Sequence, residues 1–336
     1  MNVHAVEATA PTRVDLAGGT LDIWPLYLFH RGAVTVNVAI DRRAWCRVET
    51  GVTGVRVESR DTLQKAEGRD VDEVLSSGKL TLPGFILRAL GIRTGVRVVV
   101  ESRVPPGSGL GGSSALAVAI AAAASRAVGR PLEGEGLVAL VRDAEAQSIG
   151  IPTGVQDYWA AVHGGILGVA LEPGGPRAER LAADPGRVEE SLLLVDAGAT
   201  RFSGVNNWEV FKRRIDGDAG VTKALGDIAA VALRVRDSLQ AHRYEDVAGL
   251  MAEEWEARKR LAPGVTTPEI DRIAEAARSV GGAAKVCGAG GGGIVAVWAP
   301  PGARGPGMRE AAAKAVLAAG FRPMPFRIDR RGLEAE

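Results

Sequence analysis

The chain contains few of the residues that most often build metal, disulfide or nucleic-acid sites. It has two cysteines, four histidines and 4% aromatic residues in a length of 336. The cysteines and histidines match no zinc-ligand spacing; they are Cys46, Cys287, His4, His30, His163 and His242. Two thiols so far apart predict free cysteines in a reducing compartment. The scarcity of aromatic rings argues against a stacking surface for single-stranded nucleic acid.

The chain also lacks a large net charge and a long apolar run. Lys and Arg number 41 against 40 for Asp and Glu, so the formal net charge is +1. That balance supplies no summed field to attract nucleic acid or an anionic membrane. The longest apolar run, Ala115 to Ala124, is about half of a membrane span, and the first residues show no secretory signal pattern. We therefore expect a cytoplasmic protein with no nucleic-acid partner and no membrane association.

The sequence does contain enough apolar residues for a sizeable core. Hydrophobic residues make up 46% and charged residues 24% of the chain, which is typical of a globular protein. The length fits two domains. A segment rich in Pro and Gly at 172–186 predicts the boundary between them, so the predicted domains are residues 1–172 and 187–336.

Short runs of β-branched residues predict a sheet in the first domain. The runs at 33–40, 44–49 and 54–59 are separated by turn residues, as in an antiparallel meander. A further strand is predicted at 96–102, followed by a loop and an apolar helix. Two more helices are predicted after that one, at 135–147 and from about Val155.

The second half is predicted to be rich in helices. A buried strand at 192–198 precedes them, and a glycine-rich loop at 288–293 leads into the strand IVAVW and a final strand at 321–329. The helical patterns lie at 206–214, 222–239, 244–261, 267–280 and 308–319.

The strongest local signal is the sequence PPGSGLGGSSA, Pro105 to Ala115. Glycines let backbone N–H groups approach a ligand closely, and the start of a helix favours an anion such as a phosphate chain. No lysine follows the last glycine, which excludes a Walker A loop, and the two prolines and a missing acidic strand end argue against a dinucleotide site. The alternative is a structural turn in which Ser113 caps the helix.

Three segments together resemble the GHMP kinases, the superfamily of galactokinase, homoserine kinase, mevalonate kinase and phosphomevalonate kinase. They are APTRVDLAGGTLDIWP near the start, PPGSGLGGSSA in the middle, and KVCGAGGGG at 285–293. The resemblance implies an α+β fold, with an N-terminal domain like ribosomal protein S5 and a ferredoxin-like C-terminal domain. It also implies that ATP and an acceptor meet in a cleft on which both glycine loops converge.

The resemblance implies roles for particular residues. Asp157 would be the catalytic base, with Arg13 beside it to neutralise developing charge, and Ser114 and Glu145 would hold Mg²⁺. Without the motif, Arg13 would be taken for a surface ion pair. The ATP-binding residues would be Pro106, Gly107, Ser108, Gly109, Leu110, Gly111, Gly112, Ser113 and Ser114. Lys285 is interpreted as a solvated charge at a strand end and Cys287 as a small buried residue, neither with a chemical role.

The opening motif is similar to that of the fucose and heptose kinase branch, in which Ala-Gly-Gly is followed by an aspartate at the spacing of Asp22. This similarity implies a small-molecule sugar or sugar-phosphate substrate, phosphorylated at its anomeric hydroxyl. The substrate-binding residues would be Gly19, Thr20, Asp22, Asp157 and Gly290. Asp22 could instead cap a helix. The alternatives for the protein are a mevalonate-type kinase and a relative that binds ATP or sugar without catalysis; it is expected to be a monomer or a homodimer.

Overall fold

The computed structural model describes residues 4–198, 204–300 and 307–336. These residues form two β-sheets and the helices packed on them. The strands are β1 (His4–Ala17), β2 (Val34–Thr50), β3 (Val55–Ser59), β4 (Lys65–Gly68), β5 (Val96–Ser102), β6 (Ile166–Glu172), β7 (Gly175–Arg180), β8 (Leu192–Asp196), β9 (Ala283–Val286), β10 (Ile294–Trp298), β11 (Pro323–Met324) and β12 (Glu334–Ala335). The helices are α1 (Val71–Ser76), α2 (Thr81–Ala89), α3 (Gly112–Ala127), α4 (Gly134–Ile149), α5 (Gln156–His163), α6 (Pro185–Ser191), α7 (Gly204–Ile215), α8 (Ala219–Gln240), α9 (Asp246–Lys259), α10 (Pro268–Arg278) and α11 (Gly307–Ala318). Among these described helices none is long and apolar enough to cross a membrane.

The first sheet has eight strands in the order β12-β1-β2-β5-β3-β4, with β6 on β2 and β7 on β6. The predicted strands at 33–40 and 44–49 are one strand, because β1 pairs with both and keeps the residues between them extended. The pairing of β1 with β2 has a register shift between Pro11 and Thr12. The other edge of β2 pairs with two different strands: its start pairs with β6 and its end pairs with β5. The predicted meander is wrong, because β5 lies between β2 and β3 in the sheet. Strand β3 runs parallel to β5, and a parallel pair needs a crossover, which α1 and α2 supply.

Helix α3 lies in the core of this half. It packs on β1 and β2 and contacts α4 and α5. Every residue from Ala117 to Ser125 is fully buried, and the alanine side chains allow the neighbouring elements to approach closely. The predicted order of strand, loop and helix is confirmed here by β5 and α3.

The second sheet is antiparallel, in the order β11-β8-β10-β9. Helices α8 and α9 pack against each other and also contact β1, so a single apolar cluster joins the two sheets; it includes Val36, Val38, Leu194, Val235 and Trp298.

The Pro- and Gly-rich segment at 172–186 contains β7, and the last strand, predicted at 321–329, covers only β11. Strands β7 and β12 belong to the first sheet, and the limits at 172 and 187 stay predictions.

Candidate active site

A cavity of about 600 Å³ opens at the start of α3. Most of the predicted site residues line it, namely Arg13, Pro106, Gly107, Ser108, Gly109, Gly111, Gly112, Ser113, Ser114, Glu145 and Asp157. Five others do not: Gly19, Thr20, Asp22, Leu110 and Gly290. The side chain of Leu110 is fully buried in the core, so only its backbone can face a ligand, and its carbonyl already accepts from the Arg13 amide at 3.0 Å.

The first glycine loop, residues 107–112, leads directly into α3. Gly107, Gly109 and Gly111 all have positive φ angles, which other residues adopt only with strain. Gly111 is the N-cap of α3, and no side chain makes a capping hydrogen bond there. The alternative in which Ser113 caps the helix is therefore wrong. An uncapped helix start that opens into a cavity fits an anionic ligand.

The second glycine loop, residues 288–293, lies against the first, as expected for a shared cleft. A Cβ on Gly109 would come within 2.3 Å of the Cys287 carbonyl oxygen, and the Ile294 amide donates to the Ser108 carbonyl at 2.9 Å. The contact between the loops is thus sufficient by itself to require glycine at position 109. Gly290 does not line the cavity, and a Cβ there would come within 2.6 Å of the Val265 carbonyl oxygen.

Arg13 and Asp157 form an ion pair at the edge of the cavity. Arg13 Nε and a terminal guanidinium nitrogen each lie 2.6 Å from Asp157 Oδ1. The guanidinium also donates to the Gly109 carbonyl. Because Arg13 is 5% exposed while the Asp157 side chain is 19% exposed, the arginine is fixed and the carboxylate remains reachable from the cavity. This is no surface ion pair.

Glu145 lies deeper, with two hydroxyl donors on one oxygen. Its Oε2 accepts from Ser114 Oγ at 2.8 Å and from Tyr158 Oη at 2.8 Å. Burial raises the pKa of Glu145 above its ordinary value, the charge of Asp157 adds to the rise, and hydrogen bonds from Ser113, Tyr158 and Ser114 oppose it. Sequence reasoning missed Tyr158, whose position next to Asp157 was the only available signal.

The donor set suits a metal ion that is shared with phosphates. Within the described ranges no group of three or more His, Cys, Asp or Glu side chains could hold a metal by itself. Mg²⁺ commonly takes one or two protein oxygens and completes its shell with water and substrate phosphates. The Glu145 carboxylate and the Ser114 hydroxyl, which meet beside the start of α3, fit that pattern.

Asp22 is committed to the start of α5. Its Oδ2 accepts from the amides of Val155 at 2.7 Å and Gln156 at 2.9 Å, which is the helix-capping role. Burial raises the pKa of Asp22 to about 6, with the nearby charge of Asp157 adding to the rise and the bond from Gln156 opposing it. Asp22 therefore holds the helix turn that carries Asp157. Its contact with a sugar stays a prediction.

Gly19 and Thr20 meet a buried charged cluster formed by Asp15, Glu254, Arg258 and Lys285. Arg258 donates to the Gly19 carbonyl at 3.2 Å and to Thr20 Oγ1 at 3.3 Å. Lys285 is fully buried, so its interpretation as a solvated charge is wrong. Sequence reasoning missed the other three members of the cluster because no motif joins positions so far apart.

The cavity is also lined by residues at the start of α2. Leu80, Leu82 and Pro83 form an apolar wall, and the polar side chains nearby are Ser59, Asp61, Thr62 and Gln64. An apolar lining with a few polar groups is typical of a small-molecule site. The sequence analysis assigned no ligand to this part of the cavity.

Two family models match the chain. The GHMP kinases N terminal domain matches residues 81–165, and the GHMP kinases C terminal domain matches residues 235–319. The structure resembles that of a D-glycero-D-manno-heptose 1-phosphate kinase from Bacteroides thetaiotaomicron, with a TM-score of 0.76, 22% identity and 98% of each chain covered. These findings confirm the predicted α+β GHMP kinase fold.

Curated relatives cover most of this chain. A mevalonate kinase of Aeropyrum pernix is 30% identical over 87% of this chain and 88% of its own. A D-glycero-alpha-D-manno-heptose 7-phosphate kinase of Campylobacter jejuni is 26% identical over 89% and 91%. A bifunctional fucokinase/GDP-fucose pyrophosphorylase of Arabidopsis thaliana is 26% identical over 84% of this chain, which spans only 29% of that larger protein.

Proposed function

Because the chain belongs to the GHMP kinases, we propose that it transfers the γ-phosphoryl group of ATP, with Mg²⁺, to the anomeric hydroxyl of a sugar or sugar phosphate. The observation that carries this proposal is the cavity itself. It brings the uncapped start of α3, the pair of Ser114 and Glu145, and the pair of Arg13 and Asp157 to one space.

We assign the start of α3 and the first glycine loop to the phosphates of ATP, and call this region the phosphate end of the cleft. The amides at the helix start and the helix dipole favour an anion there. The apolar wall of Leu80, Leu82 and Pro83 is suited to the adenine ring. The glycines leave no side chain between the backbone and the cavity.

We assign Mg²⁺ to Ser114 and Glu145. When bound, the metal would supply positive charge that offsets the charge on the transferred phosphoryl group. The protein's part is to hold the two oxygen ligands: Tyr158 donates to the Glu145 carboxylate at 2.8 Å and Thr153 lies 2.9 Å from the Tyr158 hydroxyl. A bound cation would also offset the cost of keeping the Glu145 carboxylate charged while it is buried.

We assign the acceptor to the region around Asp157, the turn at 18–22 and the second glycine loop, and call it the acceptor end. Asp157 accepts the proton of the attacking hydroxyl, and Arg13 fixes the orientation of that carboxylate through two nitrogens. Asp22 sets the position of Asp157 through the start of α5. Contact of Gly19, Thr20, Asp22 and Gly290 with the acceptor belongs to this proposal.

The sugar assignment is supported by the opening motif and by the names of the heptose and fucose relatives. Mevalonate is the second candidate, because a mevalonate kinase shares 30% identity over most of the chain. We further propose a cytoplasmic monomer or homodimer, in keeping with the two buried free thiols Cys46 and Cys287.

A panel assay separates the candidates. ADP release would be measured with MgATP and, one at a time, L-fucose, D-mannose, D-galactose, a heptose 7-phosphate and mevalonate. The proposal predicts that a sugar or sugar phosphate gives the highest kcat/KM. Turnover with mevalonate alone would refute the sugar assignment, and nucleotide binding without any turnover would refute the kinase assignment for these acceptors.

A further inference from the structure

Four charged side chains meet in the interior between the two halves of the chain. Lys285 Nζ donates to Asp15 Oδ2 at 3.1 Å and to Glu254 Oε1 at 3.0 Å. Arg258 lies 3.5 Å from the same two oxygens. All four side chains are at most 3% exposed. We call this group the buried quartet.

Stability alone does not account for the buried quartet. Burying ions costs free energy that their mutual attraction often fails to recover. The quartet also leaves three polar atoms without a hydrogen-bond partner among the described residues, Asp15 Oδ1, Glu254 Oε2 and Arg258 Nε. A buried polar atom without a partner is a further cost. An apolar cluster of the same volume would serve packing better.

The buried quartet does place the Arg258 guanidinium against two segments of the acceptor end, the turn at 18–22 and the second glycine loop. Arg258 donates to the Gly19 carbonyl at 3.2 Å, to Thr20 Oγ1 at 3.3 Å, and to the Gly288 carbonyl at 2.5 Å. Gly288 lines the cavity. Thr20 lies 3.4 Å from the Asn207 side chain, which lines the cavity as well.

Thr20 gives a second, independent sign that this turn is held under constraint. Its φ angle is +76°, in the left-handed region that a β-branched residue rarely adopts. Such a conformation persists only where the surroundings over-determine it, and it is frequent at functional sites. The bond from Arg258 is one of the contacts that hold the Thr20 side chain.

We propose that Arg258 is a positioning residue for the acceptor. The buried quartet holds its guanidinium, and the guanidinium holds the turn at 18–22 and the second glycine loop at one separation. The inference rests on the proposed function only in placing the acceptor between these two segments. Arg258 does not line the cavity and donates to no residue of the first glycine loop, so it acts on the acceptor through the turns, and we expect little effect on the phosphate end.

Arg258→Lys tests the proposal with the charge retained. A lysine at this position keeps the positive charge, but its single nitrogen cannot occupy the two positions from which the guanidinium nitrogens reach the three oxygens. The KM for the best acceptor of the panel should rise about 10- to 100-fold, because small displacements of positioning groups are costly, while the KM for MgATP stays within about twofold. Arg260→Lys, an exposed change on the same segment, is the matched control and should match the wild type. A folded Arg258→Lys protein with the wild-type acceptor KM, or with equal losses for ATP and acceptor, would overturn the proposal.

A double-mutant cycle with Thr20→Val shows whether the two residues act together. Valine keeps the shape of the side chain and removes the hydroxyl, so the acceptor KM should rise about tenfold; Thr20→Ser, which keeps the hydroxyl, should restore most of the affinity. Combining Thr20→Val with Arg258→Lys should add little to Arg258→Lys alone. Additive effects would place Thr20 and Arg258 in separate roles and contradict the proposal.

Two provisions keep the outcome clear. If Arg258→Lys does not fold, the charge-balanced pair Arg258→Gln with Glu254→Gln replaces it in the cycle and leaves the ion pair of Asp15 with Lys285. The inference depends on where the acceptor binds and not on which acceptor it is. A wild-type protein active only on mevalonate would refute the sugar proposal, and the same cycle would then be measured with mevalonate.

Discussion

The phosphate end of the cleft comes from one continuous stretch, residues 105–114, whereas the acceptor end joins side chains from distant parts of the chain. Asp15 and Lys285, for example, are 270 positions apart and lie 3.1 Å from each other. The phosphate end offers backbone amides and small residues; the acceptor end depends on ion pairs that orient backbone turns. Under the proposed function, a local motif therefore provides the phosphate site, while tertiary packing provides the acceptor site.

The largest expected effect comes from Asp157→Asn, which removes the proposed proton acceptor and keeps the shape of the side chain. The kcat should fall on the order of 10²–10⁴-fold with ATP affinity little changed. Steady-state kinetics with the best acceptor, together with ATP titration, would measure both. Asp143→Asn, an exposed change on α4, is the control. Near-normal turnover would exclude Asp157 as the base and would contradict the proposed difference in function between the phosphate end and the acceptor end.

Asp22→Asn should change the pH dependence of stability. The pKa of Asp22 rises from 3.8 to about 6 in the folded protein, so the folded state binds the proton more tightly than the unfolded chain. The resulting stabilisation is present below about pH 4 and is lost as the pH rises through about 6. Relative to Asp22→Asn, the wild type should lose up to about 3 kcal/mol of unfolding free energy over that range.

Chemical denaturation of both proteins at pH 4.5, 6 and 7.5 would measure the effect, and a constant difference between them would contradict it. Asparagine can still accept from the amides of Val155 and Gln156, so the start of α5 should remain intact. Asp22→Ala is a poorer probe of sugar binding, because it would also displace the helix turn that carries Asp157.

Glu145→Gln should give a smaller effect, confined to the proposed metal site beside the phosphate end. Glutamine keeps one oxygen but loses the negative charge, so the Mg²⁺ concentration for half-maximal activity should rise on the order of tenfold for every acceptor alike. Glu135→Gln, at the exposed start of α4, is the matched control. A defect limited to one acceptor would move Glu145 to the acceptor end.

The difference between the two ends also explains how far the sequence could predict the site. The strand β5, the loop and α3 are neighbours in the chain, so turn chemistry and periodicity located them. The path of β2 could not be predicted, because its extended middle depends on pairing with β1. Asp22 matched a motif, yet its capping of α5 depends on amides 133 and 134 positions away.

Lys285 shows the same limit at the acceptor end. It belongs to a quoted motif, but its burial depends on Asp15 in the first half and on Glu254 in α9. No local pattern marks Arg258 as the residue that holds two turns. The residues within the motifs could be identified from the sequence. The contacts that orient them could not, because those contacts join residues that are distant in the chain.

The most direct test of the account is ³¹P NMR of the wild-type protein with MgATP and the best sugar of the panel. The account predicts that ADP and a new phosphomonoester appear together, with the phosphorus coupled to the anomeric proton of the sugar. Release of inorganic phosphate alone, or a monoester formed only from mevalonate, would contradict it.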